Sequence, residues 1–233
     1  MFTDKIVVVT GANRGIGKAI AQAFAGQGAK VVLVAQQLDA LEELEDALLA
    51  TGADVMAVPT DITDTAALQT LQYEIQQHYG RVDILINNAA IAVLKPLVQT
   101  TQEEWQGMTA VNLHAMFHLT QLFLPPMIER RSGVIINMSA ALARNGFPNL
   151  AVYSATKAGV IAFTEAIAKE VRRYGVQAYA ICPHGVHTDL YQRLFGATDP
   201  AKLLSPERVA TEVVKVAAGE AGIRSGQTLD ISL

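Results

Sequence analysis

The chain has 233 residues, enough for one large α/β domain or two small ones. At 51% hydrophobic and 17% charged it is rich in apolar residues, which suits a sheet buried on both faces. A net charge of −4 without a basic stripe argues against nucleic acid, and a single cysteine, Cys182, excludes an intrachain disulfide and a cysteine metal site.

No stretch approaches about 18 uninterrupted apolar residues, so no membrane partner is expected. Ile6–Val9 is too short an apolar core for a secretory leader, and the expected location is cytoplasmic. The acidic run Glu42-Glu43-Leu44-Glu45-Asp46 reads as the wet side of a helix.

Along the chain, short β-branched runs predict strands at 5–9, 30–35, 54–58, 82–86, 133–138, 176–182 and 227–231. Between them lie stretches with apolar residues three and four apart, as in Leu38, Leu41, Leu44 and Leu48, which predict helices. Strand–helix–strand alternation forces parallel pairing with right-handed crossovers. The expected fold is α/β: a Rossmann-type doubly wound parallel sheet of about seven strands, helices on both faces, in one domain spanning 1–233. Loops at the carboxyl ends of such strands bind ligands, and here they are 10–15, 35–37, 59–61, 87–91, 139–147 and 183–188.

The first strand runs directly into TGANRGIGKAIAQAFAGQG, residues 10–28. Gly11, Gly15 and Gly17 precede a helical pattern of Ile16, Ile20 and Phe24. Glycines allow a tight turn and let a diphosphate approach backbone N–H groups at the positive end of a helix. A glycine-rich turn with no ligand is the plainer alternative.

The spacing T-G-x-x-x-G-x-G resembles that of the short-chain dehydrogenase/reductase family, and further motifs recur in that family's order. Asp61-Ile62 falls where the family contacts adenine, and Asn87-Asn88-Ala89-Ala90 resembles its N-N-A-G. Asn112, Ser139, Tyr153 and Lys157 match its catalytic tetrad, and Pro183-His184-Gly185-Val186-His187-Thr188 resembles P-G-x-V-x-T. Within the family the chain is most similar to 3-oxoacyl-carrier-protein reductases and general carbonyl reductases.

The resemblance implies hydride transfer between a nicotinamide dinucleotide and a carbonyl or hydroxyl of a small-molecule substrate. Its cofactor-binding positions here are Thr10, Gly11, Asn13, Arg14, Gly15, Ile16, Gly17, Gln36, Asp61, Ile62, Asn88, Ala89, Ala90, Tyr153, Lys157, Pro183, His184, Val186 and Thr188. Tyr153 would be the general acid/base, and Ser139 would orient the reacting oxygen. Lys157 would hold the nicotinamide ribose and depress the Tyr153 pKa, and Asn112 would hold a relay water. At i and i+4 on a helix, Tyr153 and Lys157 rise from one face. Lowering a phenol by three units needs about 4 kcal/mol of phenolate stabilisation. Asn112 reads equally well as a satisfied core amide that bends its helix.

At the end of the second strand, an acid would accept hydrogen bonds from a free ribose 2′-hydroxyl and select NAD. Ala35 and Gln36 stand there instead, and Arg14 offers a guanidinium for a 2′-phosphate. NADP(H) is favoured, with NAD(H) the alternative cofactor and an alcohol or sugar the alternative substrate. A non-catalytic dinucleotide sensor is a third reading, against which the complete tetrad speaks.

Ala90, Ile91, Ala140, Leu142, Phe147 and Leu150, with Leu190, Tyr191, Leu194 and Phe195 of a lid over 189–204, predict a moderately hydrophobic ketone, aldehyde or secondary alcohol. His184 replaces the glycine of the family's P-G and puts the local backbone path in question; His184 and His187 read as loop packing, without metal. His114 and His118, i and i+4, read as packing or interface residues. Helices over 101–129 and 151–174 would form a homodimer or homotetramer, whose order the short SGQTLDISL ending leaves open. The Pro125-Pro126 pair predicts a kink or an end to the first of these helices.

Overall fold

The computed structural model describes residues 1–233. Seven strands form one sheet in the order β3-β2-β1-β4-β5-β6-β7, every pair parallel. They are β1 Ile6–Thr10, β2 Lys30–Ala35, β3 Val55–Pro59, β4 Ile84–Asn87, β5 Gly133–Met138, β6 Val176–Pro183 and β7 Thr228–Ile231. Each overlaps its predicted run. The strand order reverses between β1 and β4, opening a crevice at the carboxyl edge there.

Eight α-helices cover the sheet: α1 Gly15–Ala25, α2 Leu38–Leu49, α3 Thr65–Tyr79, α4 Gln102–Thr109, α5 Ala115–Arg130, α6 Ala151–Val171, α7 Asp189–Phe195 and α8 Pro206–Ala217. Alternation along the strands divides the core. Val7, Val9, Val31 and Leu33 pack with Ile20 and Phe24 of α1, Leu41 and Leu44 of α2, and Val209 and Val213 of α8. Val8, Val32, Val34 and Leu85 face Leu71 and Ile75 of α3, Leu119 and Phe123 of α5, and Ile167 of α6. A sheet buried on both faces explains why its strands are continuously apolar.

Of the two outcomes expected at Pro125-Pro126, an end to the helix does not occur. Helix α5 continues through both prolines to Arg130 and stops at Arg131, whose φ of 53° is left-handed. Pro126 lacks the N–H that would bond the Leu122 carbonyl, but Gln72 Nε2 of α3 donates to that oxygen at 3.2 Å. A side chain from a neighbouring helix thus replaces the missing backbone donor, while both proline rings face solvent.

Between α4 and α5 lies one wide π-type turn, Ala110–His114, in which the Ala115 N–H reaches back five residues to Ala110 O. Such widened turns concentrate at functional sites. Helix α4 starts with a reciprocal cap, Thr101 Oγ1 accepting from Glu104 N while Glu104 Oε2 accepts from Thr101 N. Glu104 also pairs with Lys95 at 2.7 Å, and Lys95 N donates to Asn149 O, so the loop after β4 is tied to the entrance of α6.

Candidate active site

A cleft of about 610 Å³ runs along the carboxyl edge of the sheet. Of the residues singled out in the sequence, it gathers Gly11, Asn13, Arg14, Gly15, Ile16, Gly17, Gln36, Asp61, Ile62, Asn88, Ala89, Ala90, Ser139, Tyr153, Lys157, Pro183, His184, Val186 and Thr188. Thr10 and Asn112 are not on its wall. They line a water-sized cavity of about 10 Å³ behind it, together with Asn87 and Lys157.

The glycine loop is fitted to a ligand by what it omits. Gly11 and Gly15 have φ of 64° and 54°, which side chains rarely tolerate. A Cβ on Gly17 would lie 2.1 Å from Gly11 O and 2.6 Å from Asn88 Nδ2. Arg14 caps α1 with extended backbone and no side-chain cap bond, and the first turn holds no acid. The uncapped N–H groups and the helix dipole therefore suit an anion, and the cradle fits a diphosphate.

Thr10 has a different job from the expected one. Its hydroxyl donates to Ile86 O (3.2 Å) and accepts from Asn88 N (2.9 Å) and Ala89 N (3.1 Å). Asn88 Nδ2 returns a bond to Thr10 O at 2.8 Å. Only 1% exposed, Thr10 is the rivet between the β1 and β4 loops, with no hydrogen left to donate to a ligand.

At the end of β2, Gln36 and Gln37 are exposed, and Gln37 Oε1 accepts from Asn13 Nδ2 at 3.2 Å. Asp61 Oδ1 accepts from the Thr63 hydroxyl and N–H at 2.6 and 2.8 Å. The Thr63 hydroxyl first, then its N–H, holds the Asp61 carboxyl below the usual range, with help from Gln36. Arg14 is exposed and makes no ion pair.

On the other side of the switch point, Lys157 is 3% exposed, and its ammonium donates to Met138 O at 2.8 Å, 5.7 Å from the Tyr153 ring centroid. The Ser139 hydroxyl donates to Lys157 O at 2.7 Å, stitching the end of β5 to α6. Burial pushes the Lys157 pKa down to about 8. Burial, followed by the nearby Cys182 thiol, pushes Tyr153 up to about 12. The expected depression of Tyr153 by Lys157 is thus absent from the protein's own electrostatics. Removing a phenolate from water costs more than an ammonium bonded to a carbonyl returns.

Asn112, 2% exposed in the π-type turn, accepts from Ile91 N (2.9 Å) and donates to Ile91 O (2.9 Å) and Thr156 Oγ1 (3.1 Å). It is a satisfied core amide at a distortion of its helix, and it borders the small cavity beside Lys157. Neither description displaces the other. A buried chain of amides and hydroxyls, Asn87 to Asn137 (2.8 Å) to Thr164 (2.9 Å), braces β4, β5 and α6 beneath it. Asn137 and Thr164 carry no local signal, since a polar residue in an apolar run identifies its partner only once the strands are paired.

His184 keeps an ordinary backbone: its φ is not left-handed, and its N–H donates to Ile231 O at 2.9 Å. Histidine therefore takes the glycine position without strain and adds a ring to the cleft. His187 Nε2 lies 2.9 Å from Gln192 Nε2, and no group of three or more metal-binding side chains exists. No helix is long and apolar enough to cross a membrane.

The end of the cleft away from the glycine loop is largely apolar. Phe147 meets Phe195 edge-on at 5.6 Å, and Tyr191 lies 4.8 Å from Phe195. Sequence reasoning passed over Met138, whose carbonyl holds Lys157, and Arg193, which lines the cleft among the aromatic residues of α7.

The short chain dehydrogenase family model matches residues 5–198. The chain is 34% identical to the 3-oxoacyl-[acyl-carrier-protein] reductase FabG of Escherichia coli, over 99% of this chain and 97% of the relative. It is 36% identical to the ketoacyl reductase HetN of a Nostoc species, over 92% of this chain and 75% of the relative. A solved structure from Beutenbergia cavernae, described as an NAD(P) dependent gluconate 5-dehydrogenase with bound NADP, superposes with a TM-score of 0.92 at 30% identity, covering 99% of this chain and 96% of that one. With its glycine cradle, its parallel sheet and these relatives, the chain belongs to the short-chain dehydrogenase/reductase family of oxidoreductases.

Proposed function

We propose that this protein is an NADP(H)-dependent reductase of a moderately hydrophobic ketone or aldehyde, with Tyr153 as the proton donor. The observation that carries this reading is the convergence of Tyr153, Ser139 and Lys157 with the glycine cradle on one cleft. The relatives support a carbonyl substrate, two being reductases of oxoacyl or ketoacyl groups.

Gly11, Gly15 and Gly17 would admit the diphosphate, Asp61 and Ile62 would border the adenine, and Asn88 to Ala90 and Pro183 to Thr188 would flank the nicotinamide end. Arg14, Gln36, Gln37 and Asn13 would form the rim facing the adenosine ribose, where the end of β2 carries no acid to favour a free 2′-hydroxyl. Bound there, the dinucleotide supplies the hydride.

Tyr153, held protonated at neutral pH by burial, is poised to give its proton to the carbonyl oxygen. Lys157, with a pKa of about 8, remains largely cationic at neutral pH and favours the phenolate left behind. Ser139 must turn its hydroxyl from Lys157 O to reach that oxygen, exchanging one hydrogen bond for another. Asn112 and the cavity beside Lys157 suit a water that returns the proton.

Exposed Phe117 on α5, packed edge-on against Phe163 of α6, and exposed Trp105 on α4 are apolar side chains that a second copy of the chain would cover, giving a homodimer or homotetramer. Sedimentation at graded concentrations tests this assembly.

The decisive enzymatic experiment is cofactor oxidation with a ketone panel, using NADPH and NADH in parallel. Tyr153→Phe should lower turnover by about 10²–10⁴-fold, the range of general acid catalysis, while NADPH binding and the melting midpoint hold. Wild-type turnover in that variant would remove Tyr153 from the mechanism.

A further inference from the structure

Four side chains that line the cleft carry a full charge: Arg14, Asp61, Lys157 and Arg193. Arg14 and Asp61 sit at the adenosine end, and Lys157 is buried with its ammonium on Met138 O. Arg193 alone stands at the substrate end, between Tyr191 and Phe195 on α7.

Its guanidinium forms no ion pair and no protein hydrogen bond. Asp189 is four residues earlier on the same helix, a spacing that permits a pair, yet none is made. No acidic side chain lines this half of the cleft, Asp61 being the one acid on its wall. Around it the wall is largely hydrocarbon, with Leu142, Phe147, Leu190, Leu194 and Phe195, and the neutral Tyr191 beside them.

One unpaired cation on a largely apolar wall is a recognition pattern for an amphipathic anion. A carboxylate matches a guanidinium fork through two parallel hydrogen bonds, and its single negative charge balances the single cation at this end of the cleft. We propose that the substrate is an oxo acid: a ketone whose carbon chain lies against Phe147 and Phe195, and whose terminal carboxylate is bound by Arg193. This deepens the reductase reading and rests on it. Arg193 is then a specificity residue, remote from the proton transfer.

The test compares straight-chain 4-oxo, 5-oxo and 6-oxo carboxylates with their methyl esters as substrates for the NADPH-loaded protein. Wild type should prefer each favoured acid over its ester, with one chain length best, since the distance from carbonyl to guanidinium is fixed. In Arg193→Gln the acid-to-ester ratio of kcat/KM should fall by about 10–100-fold, as for loss of a hydrogen bond to a charged group, and Arg193→Lys should restore part of it. Raising the salt should shrink the wild-type ratio, because the cation is solvent-exposed. Equal ratios in wild type and Arg193→Gln would overturn the proposal while esters still turned over, leaving the reductase reading intact. Failure of acids and esters alike would overturn both.

Discussion

Around the glycine loop, backbone meets backbone: Gly17 lies against Gly11 O, Gly11 against Ala89, and Thr10 and Asn88 bolt the two loops together through part-buried hydrogen bonds. The other end of the cleft is built from side chains on an excursion of the chain. Val186 bridges to Leu204, His187 N bonds Leu204 O, and Leu204 N bonds Gly185 O, so the segment is fastened at its base. Between those fastenings α7 presents aromatic rings held by packing alone. A site for an invariant diphosphate needs fixed N–H groups, whereas a site for a particular carbon skeleton can be reshaped one side chain at a time.

This contrast makes graded predictions. Gly17→Val should be the most damaging change, because its Cβ falls 2.1 Å from a backbone oxygen that cannot move away. NADPH binding by calorimetry should disappear, and retention of wild-type affinity would break the account of a closed backbone cradle. Thr10→Val keeps the shape but strands the N–H groups of Asn88 and Ala89. At about 1–3 kcal/mol for each unsatisfied donor, the two together should show in chemical denaturation as a loss of about 2–6 kcal/mol.

Next in size, Arg14→Gln should weaken NADPH by about 10–100-fold, the scale of a hydrogen bond to a charged group, and leave NADH little changed. Equal effects on the two cofactors would remove Arg14 from 2′-phosphate recognition. Lys157 provides a pH signature in the unliganded protein. Burial lowers it from 10.5 to about 8, so between those values the unfolded chain binds a proton that the folded chain does not. Stability contributed by this group must therefore rise with pH across that window, and Lys157→Met should flatten the rise in thermal melts. Smallest of all, Phe147→Ala at the half-exposed rim should change kcat/KM for long-chain ketones by about 2–5-fold, less than full burial of such a ring would give. A melting midpoint lowered by this change would contradict the view that the substrate end is separable from the fold.

The strands were legible because a sheet covered on both faces demands unbroken β-branched runs, and KVVLVA or GVIINM can satisfy little else. The glycine loop was legible for a related reason: its left-handed glycines leave a spacing that few other structures require. Thr10 was misread as a ligand contact, since a threonine after a strand looks the same whether its hydroxyl faces a phosphate or the backbone of β4. That the helix does not end at the proline pair was hidden because the donor that serves Leu122 O comes from Gln72, fifty residues away. Arg193 went unnoticed among its apolar neighbours, since only the cleft reveals that it lacks a partner there.

What the amino-acid order determined by itself is local or periodic: where strands and helices form, where glycine is obligatory, and that Tyr153 and Lys157 share a helix face. Tertiary structure decided everything that depends on what lies opposite. It committed the Thr10 hydroxyl to the β4 loop and the Ser139 hydroxyl to Lys157 O, and left Arg193 without an acid. It also set the burial that raises Tyr153 in the unliganded protein, because the cost of burying a charge depends on the surrounding dielectric, which no sequence spacing encodes.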